Sequence, residues 1–176
     1  MDLTPVERKF VLHWGEMGTR WGVNRVVAQV HALLLLSPAP LDAEAIASTL
    51  SVARSSVSTG LRELQGWGIL RVSHRLGDRR EYFATVDDPW EMFRAILAER
   101  KSREIDPTLR LLRECREEAA GGGARGEHAR RRFAGLVEFF ETADAWYRQV
   151  AALPRKPLLR LLRAGGRLRR FAGGGG

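Results

Sequence analysis

The sequence predicts a mainly α-helical fold with one small β-hairpin, and three observations carry that expectation. Apolar residues recur three and four apart through most of the 176 residues. Between about 70 and 86 that period gives way to alternation around a Gly-Asp turn. Helix start and stop signals fall at the ends of the periodic segments rather than inside them.

The elements follow in chain order. Thr4-Pro5-Val6-Glu7 reads as a capping box with proline at the first helical position, and Val6, Phe10, Trp14 and Met17 then recur at helical spacing until Gly18. A second helix, roughly 23 to 36, is apolar around much of its circumference and stops at Ser37-Pro38, so it is expected to be buried. Asp42 is the expected N-cap of a third helix with Ile46, Ala47 and Leu50 on its inner stripe. Ser51-Val52-Ala53 is a short turn before a fourth helix, from about Arg54 to Gly66, whose Val57, Leu61 and Leu64 face inward. Two short helices joined by a three-residue turn make a helix-turn-helix, and the hairpin after Gly68 (strands near 70–74 and 80–86) is its wing. Asp87-Asp88-Pro89 opens a long amphipathic stretch that Asp106-Pro107 should kink or restart. Gly121-Gly122-Gly123 reads as a flexible link, with no Lys-Ser/Thr after it to make a phosphate loop. The last helix, about 127 to 153, carries Phe133, Leu136, Phe140, Ala143, Tyr147 and Val150 as a seam for another helix.

The expected organisation is residues 1–40 as N-terminal helices supporting core and dimer, and 41–86 as the winged helix-turn-helix. Residues 87–153 form a helical dimerisation and ligand-sensing region, and 154–176 a basic flexible tail. Of the net charge of +8, seven charges lie between Arg155 and Gly176, where there is no acid, so the rest of the chain is close to neutral. High pI therefore supports polyanion binding only as a property of the tail. The run 26–36 is far short of the ~20 apolar residues of a membrane span, and the acidic N-terminal residues do not suit a secretory signal; a cytoplasmic protein is expected. Cys115, the one cysteine, offers neither an internal disulfide nor a zinc site.

The chain resembles the GbsR-type branch of the MarR superfamily of bacterial transcription regulators. The resemblance is carried by Phe10 with Trp14-Gly15, by Leu36-Ser37 and Pro40-Leu41, and by the run Val57-Ser58 through Leu61-Arg62-Glu63-Leu64 to Trp67-Gly68-Ile69. The wing, Gly77-Asp78-Arg79-Arg80-Glu81-Tyr82-Phe83, completes it. It covers about residues 5 to 100 well; the tail lies outside it, and Gly60 in mid-helix departs from it, at a cost of roughly 1 kcal/mol against alanine. The resemblance implies a homodimer that binds an inverted repeat, and relatives of this kind include some that respond to quaternary amines such as choline.

With Val57, Leu61 and Leu64 inward, about 100° per residue puts Ser55, Thr59 and Arg62 on the opposite side, where a helix meets the major groove. Arg62 has the fork that fits guanine O6 and N7; Ser56 and Ser58 flank this face as phosphate contacts, and Arg54 joins them at the helix start. Arg79 and Arg80 at the wing tip suit the narrow minor groove, with Asp78 pairing with and orienting Arg80. The four histidines are scattered, and no paired-carboxylate or metal-ligand spacing stands out, so no catalytic residue, metal or cofactor is expected. The aromatic residues, Trp14, Trp21, Trp90 and Phe139 among them, are read as core and dimer packing before any cation pocket.

The function expected is a sequence-specific DNA-binding transcriptional regulator, a repressor, acting as a homodimer on double-stranded DNA, with a small-molecule effector of unidentified kind. Two other readings stay open: a winged-helix protein-interaction module without DNA, and a membrane-surface protein attached by the basic, leucine-containing tail.

Overall fold

The computed structural model describes residues 2–154 together with 156, 157 and 160; the expected flexible tail otherwise lies outside the described residues. The chain forms two compact units, Met1–Leu97 and Ala98–Gly176.

In the first unit, α1 (Pro5–Arg20) starts with the full capping box: Glu7 N–H donates to Thr4 Oγ1 at 3.3 Å, and Thr4 N–H donates to Glu7 Oε2 at 2.8 Å. The bond from Thr4 N–H and a second that the Thr4 hydroxyl donates to Glu7 Oε2 hold the Glu7 carboxyl below its usual pKa. The second helix, α2 (Arg25–Leu36), begins two residues later than its apolar pattern suggests. Its cap is Asn24, whose Oδ1 accepts from Val26 N–H at 2.8 Å, leaving Val23 ahead of the helix. Seven of its twelve residues are buried, so it is the central helix of the unit. The helices α1 and α2 approach through small residues: Gly15 faces Gln29, and a Cβ at Gly18 would land on the Cβ of Ala28.

The helix-turn-helix is α3 (Ala43–Leu50) and α4 (Arg54–Gly66), with Ser51 in the connecting turn at φ 54°. Asp42 Oδ1 accepts from Ala45 N–H at 2.8 Å and caps α3. Val57, Leu61 and Leu64 of α4 are buried with Val30, Leu33, Ile46, Ile69 and Phe83 in one core. Gly60 fits against α2, where a Cβ would sit 3.5 Å from Val27 Cα, an ordinary van der Waals distance. Gly68, at φ +72°, reverses the chain at the end of α4, and Ile69 N–H returns to Leu64 O at 3.3 Å.

The wing is β2 (Leu70–His74) and β3 (Glu81–Thr85), antiparallel, with Val72 opposite Phe83. The sequence did not reveal a third strand, β1 (Leu41–Asp42), which pairs with the other edge of β3 and makes it the central strand. Two residues are too few for alternation to register. The fold is mainly α with a small three-stranded sheet, a winged helix-turn-helix.

The fifth helix, α5 (Pro89–Arg100), crosses the boundary between the units in sequence. In the second unit a π-helical segment, Lys101–Ile105, precedes α6 (Asp106–Glu118). At Asp106-Pro107 the helical run does not stop: Ile105 and Asp106 both stay in the right-handed α region, and the expected irregularity takes the form of the wider π-helical turn just ahead of Pro107, which has no N–H to donate. The glycine triplet is not a loose link. Ala119–Gly121 is a 3-10 turn and α7 (Gly123–Ala152) starts within the triplet: Gly123 takes φ +62°, a Cβ at Gly122 would fall 2.9 Å from Gly126 Cα, and one at Gly126 would meet Ala119 O at 2.6 Å. Lys101 Nζ bridges Asp106 (2.5 Å) and Asp144 (2.9 Å), and Arg113 pairs with Glu141 at 2.7 Å across α6 and α7. Leu109 and Val137 are buried in this pair of helices, while Leu111, Leu136, Phe139 and Trp146 are exposed. Among the described residues no helix is long and apolar enough to cross a membrane.

Two glycines of the first unit should respond in opposite directions to alanine. Gly18→Ala must push α1 away from α2 and should lose about 1–3 kcal/mol, the usual cost of overpacking. Gly60→Ala adds a methyl where there is room and removes the helix penalty of glycine, so it should be neutral or gain up to about 1 kcal/mol. Urea unfolding midpoints of the two variants check both signs.

His31 gives a second test. It is 3% exposed, Trp14 Nε1–H donates to its Nδ1 at 3.3 Å, and its Nε2 finds no hydrogen-bond partner among the described residues. The ring is therefore neutral with the proton on Nε2, and burial lowers its pKa from 6.5 to about 4. Because the unfolded chain takes up the proton first, stability present above pH 6.5 should be lost as pH falls from about 6.5 to 4, by about 3 kcal/mol in all. In His31→Gln, which keeps an acceptor for Trp14, denaturation curves should lack that component; an unchanged slope would contradict the assignment.

Candidate nucleic-acid interface

Because the core fixes the rotation of α4, its remaining side chains are presented outward. Arg54, Ser55, Ser56, Ser58, Thr59 and Arg62 are all exposed. They do not form one patch. Arg54, Ser58, Arg62 and Gln65 line one side of a groove of about 640 Å3 whose other side is the wing, with His74, Arg79 and Arg80. Ser55, Ser56, Thr59 and Glu63 border a smaller depression, about 280 Å3, beside Asn24 and Val26 at the start of α2. Thus the helix places Arg62 on the wing side and the hydroxyls of Ser55 and Thr59 at and beyond the helix crest.

The arginines differ in what holds them. Arg62 and Arg79 make no ion pair or hydrogen bond among the described residues. Arg54 pairs with Glu44 at 3.1 Å, but both side chains are about two-thirds exposed, so the pair is weak and exchangeable. Arg80 is held firmly. Its Nε reaches both oxygens of Asp78 at 3.1 Å, its Nη2 reaches Asp78 Oδ2 at 2.7 Å, and its Nη1 reaches Asp42 Oδ2 at 2.6 Å. Tyr82 Oη also donates to Asp78 Oδ2 at 2.7 Å. These bonds, Arg80 first and Tyr82 second, hold the Asp78 carboxyl far below the usual carboxylate range.

The wing turn itself is closed by Asp78 N–H to Arg75 O at 3.0 Å, with Gly77 at φ +79° in the turn position that demands a glycine-like backbone. The Arg75 guanidinium lies over the Tyr82 ring, 3.8 Å from its centroid. Leu76 stands fully exposed at the tip.

A transcriptional regulator of known crystal structure is similar to this chain. It superposes with a TM-score of 0.48 at 25% identity, over 82% of this chain and 99% of its own. No protein-family model matches the chain, and no curated protein matches it.

Sequence reasoning placed Asp42 only as a helix cap; its second role, as partner of Arg80, joins residues 38 positions apart and leaves no local signal. Gln65 and His74 were also missed as groove residues. Gln65 was findable, since it lies one turn from Leu61 on the side of α4 that carries Ser58 and Arg62. Among the described residues, no group of three or more His, Cys, Asp or Glu side chains is placed to hold a metal ion.

Proposed function

We propose that this protein is a duplex-DNA-binding transcriptional regulator of the GbsR-like kind, with α4 entering the major groove and the wing following the adjacent backbone and minor groove. One observation carries the reading: Arg54, Ser58, Arg62 and Gln65 on the exposed side of α4 share a groove with the basic hairpin of a winged helix-turn-helix, and Ser55, Ser56 and Thr59 continue the exposed surface of the same helix beyond it. A helix so rich in Ser is poorly suited to be a mere solvated surface, since Ser has low helix propensity and α4 has no side-chain N-cap to offset it. Short hydroxyl side chains instead allow close approach to phosphates and base edges.

The regulator acts as a homodimer on an inverted repeat, as a repressor modulated by a small effector; the inverted repeat and the effector follow the family resemblance. The dimer has its own support in the second unit, where Leu136, Phe139 and Trp146 expose on α7 an apolar seam of the sort that a second copy covers.

If Arg62 reads a base edge, Arg62→Ala should weaken binding to a selected operator more than binding to random duplex, by about 1 to 3 kcal/mol of discrimination. Fluorescence anisotropy on the two duplexes measures this, and an equal loss on both moves Arg62 to the phosphate contacts. Absence of salt-sensitive duplex binding by the unaltered protein would instead favour the protein-interaction reading. Light scattering should give about twice the 19.8 kDa chain mass at micromolar concentration, and a monomer would exclude two-half-site binding.

A further inference from the structure

Asp42 does two things at once. Its Oδ1 caps α3 through Ala45 N–H, and its Oδ2 accepts from Arg80 Nη1, so one carboxylate joins the first helix of the helix-turn-helix to the turn end of the wing. The Asp42 side chain is only 10% exposed. Drawing Arg80 out into a DNA groove would leave that carboxylate enclosed and missing its partner, and would strip Asp78 of three of its hydrogen bonds. Arg80 itself is 58% exposed, so the cost falls on Asp42, whose enclosed Oδ2 would lose its charged hydrogen-bond donor. Its neighbour Arg79 has no such tie, is exposed, and borders the same groove as Ser58 and Arg62.

We propose that Arg80 is a positioning residue that fastens the wing to the start of α3 through Asp42, and that Arg79 is the wing cation that meets the duplex. The second half rests on the DNA-binding reading above; the first concerns the free protein and stands apart from it.

The test uses the full chain, the variants Arg79→Gln, Arg80→Gln and their combination, and a random-sequence duplex probe over a salt series, alongside hydrogen exchange of the free proteins. Arg79→Gln should leave exchange unchanged and make the slope of log K against log salt shallower by about one, as expected for one lost phosphate contact. Arg80→Gln should speed exchange of the Tyr82–Thr85 amides and of the first turn of α3, and should weaken binding. The double variant should then bind no more weakly than Arg79→Gln alone, because a residue acting only through another adds nothing once that other is gone. Asp42→Asn, which keeps a cap acceptor but loses the charge, should reproduce the exchange pattern of Arg80→Gln and guards against a folding defect peculiar to one variant. Independent, multiplying losses from Arg79→Gln and Arg80→Gln, with exchange unmoved by Arg80→Gln, would overturn the proposal and make Arg80 a direct contact. No change of salt slope in Arg79→Gln would overturn the role of Arg79. Failure of the unaltered protein to bind duplex would overturn the DNA reading and the role of Arg79 with it, while exchange of the free protein would still decide the fastening.

Discussion

The packing of α4 on α2 across Gly60 sets everything that the outer surface of this unit can do. Val57, Leu61 and Leu64 enter the core that Val30, Leu33 and Ile46 build, and the absent side chain at Gly60 lets the two backbones close. Each buried side chain of this kind is worth about 1.5–3 kcal/mol, whereas an exposed pair such as Arg54 with Glu44 contributes about 0–1. The core therefore decides the rotation of α4, and the surface residues take the direction it leaves them. A rotation by one residue would put Ser58 into the core and Val57 into water.

A second constraint acts through the wing. A two-stranded hairpin is marginal by itself, and β2 is exposed along almost its whole length. Three things hold it: β1 on the far edge of β3, the burial of Tyr82 and Phe83, and the Asp42–Arg80–Asp78 set. The last links the wing to the cap of α3, the helix that precedes α4. Charge in this region is thus divided between groups bonded within the fold and groups that make no ion pair among the described residues, and proximity in sequence does not tell them apart: Arg79 and Arg80 are neighbours.

Much of this was legible because it rests on local chemistry. The capping box of Thr4 and Glu7, the Asp42 cap, the inward stripe of α4 and the Gly77 turn each need only a few adjacent residues, and each was read from the sequence at its position. What escaped depends on distant partners or on conflict between local signals. β1 exists only because β3 lies beside it, and Asp42 meets Arg80 only when the wing folds back. Gly121-Gly122-Gly123 has the composition of a linker, yet Gly122 lies too close to Gly126 for a side chain, and Gly126 lies too close to Ala119. The outer face of α4 was read as one surface, and its division between two depressions depends on where the wing and the start of α2 lie.

If the outer face of α4, together with the wing, meets duplex DNA, bound duplex must shield side chains there, and thiol footprinting reads that shielding residue by residue. In a Cys115→Ser background, single cysteines introduced as Ser55→Cys, Thr59→Cys and Arg79→Cys would be labelled with a maleimide with and without saturating duplex, beside Lys9→Cys on α1 as a control. Duplex should slow labelling at 55, 59 and 79 and leave position 9 unchanged. Binding of duplex with labelling at all four positions unchanged would contradict it and move the contact to another surface of the chain.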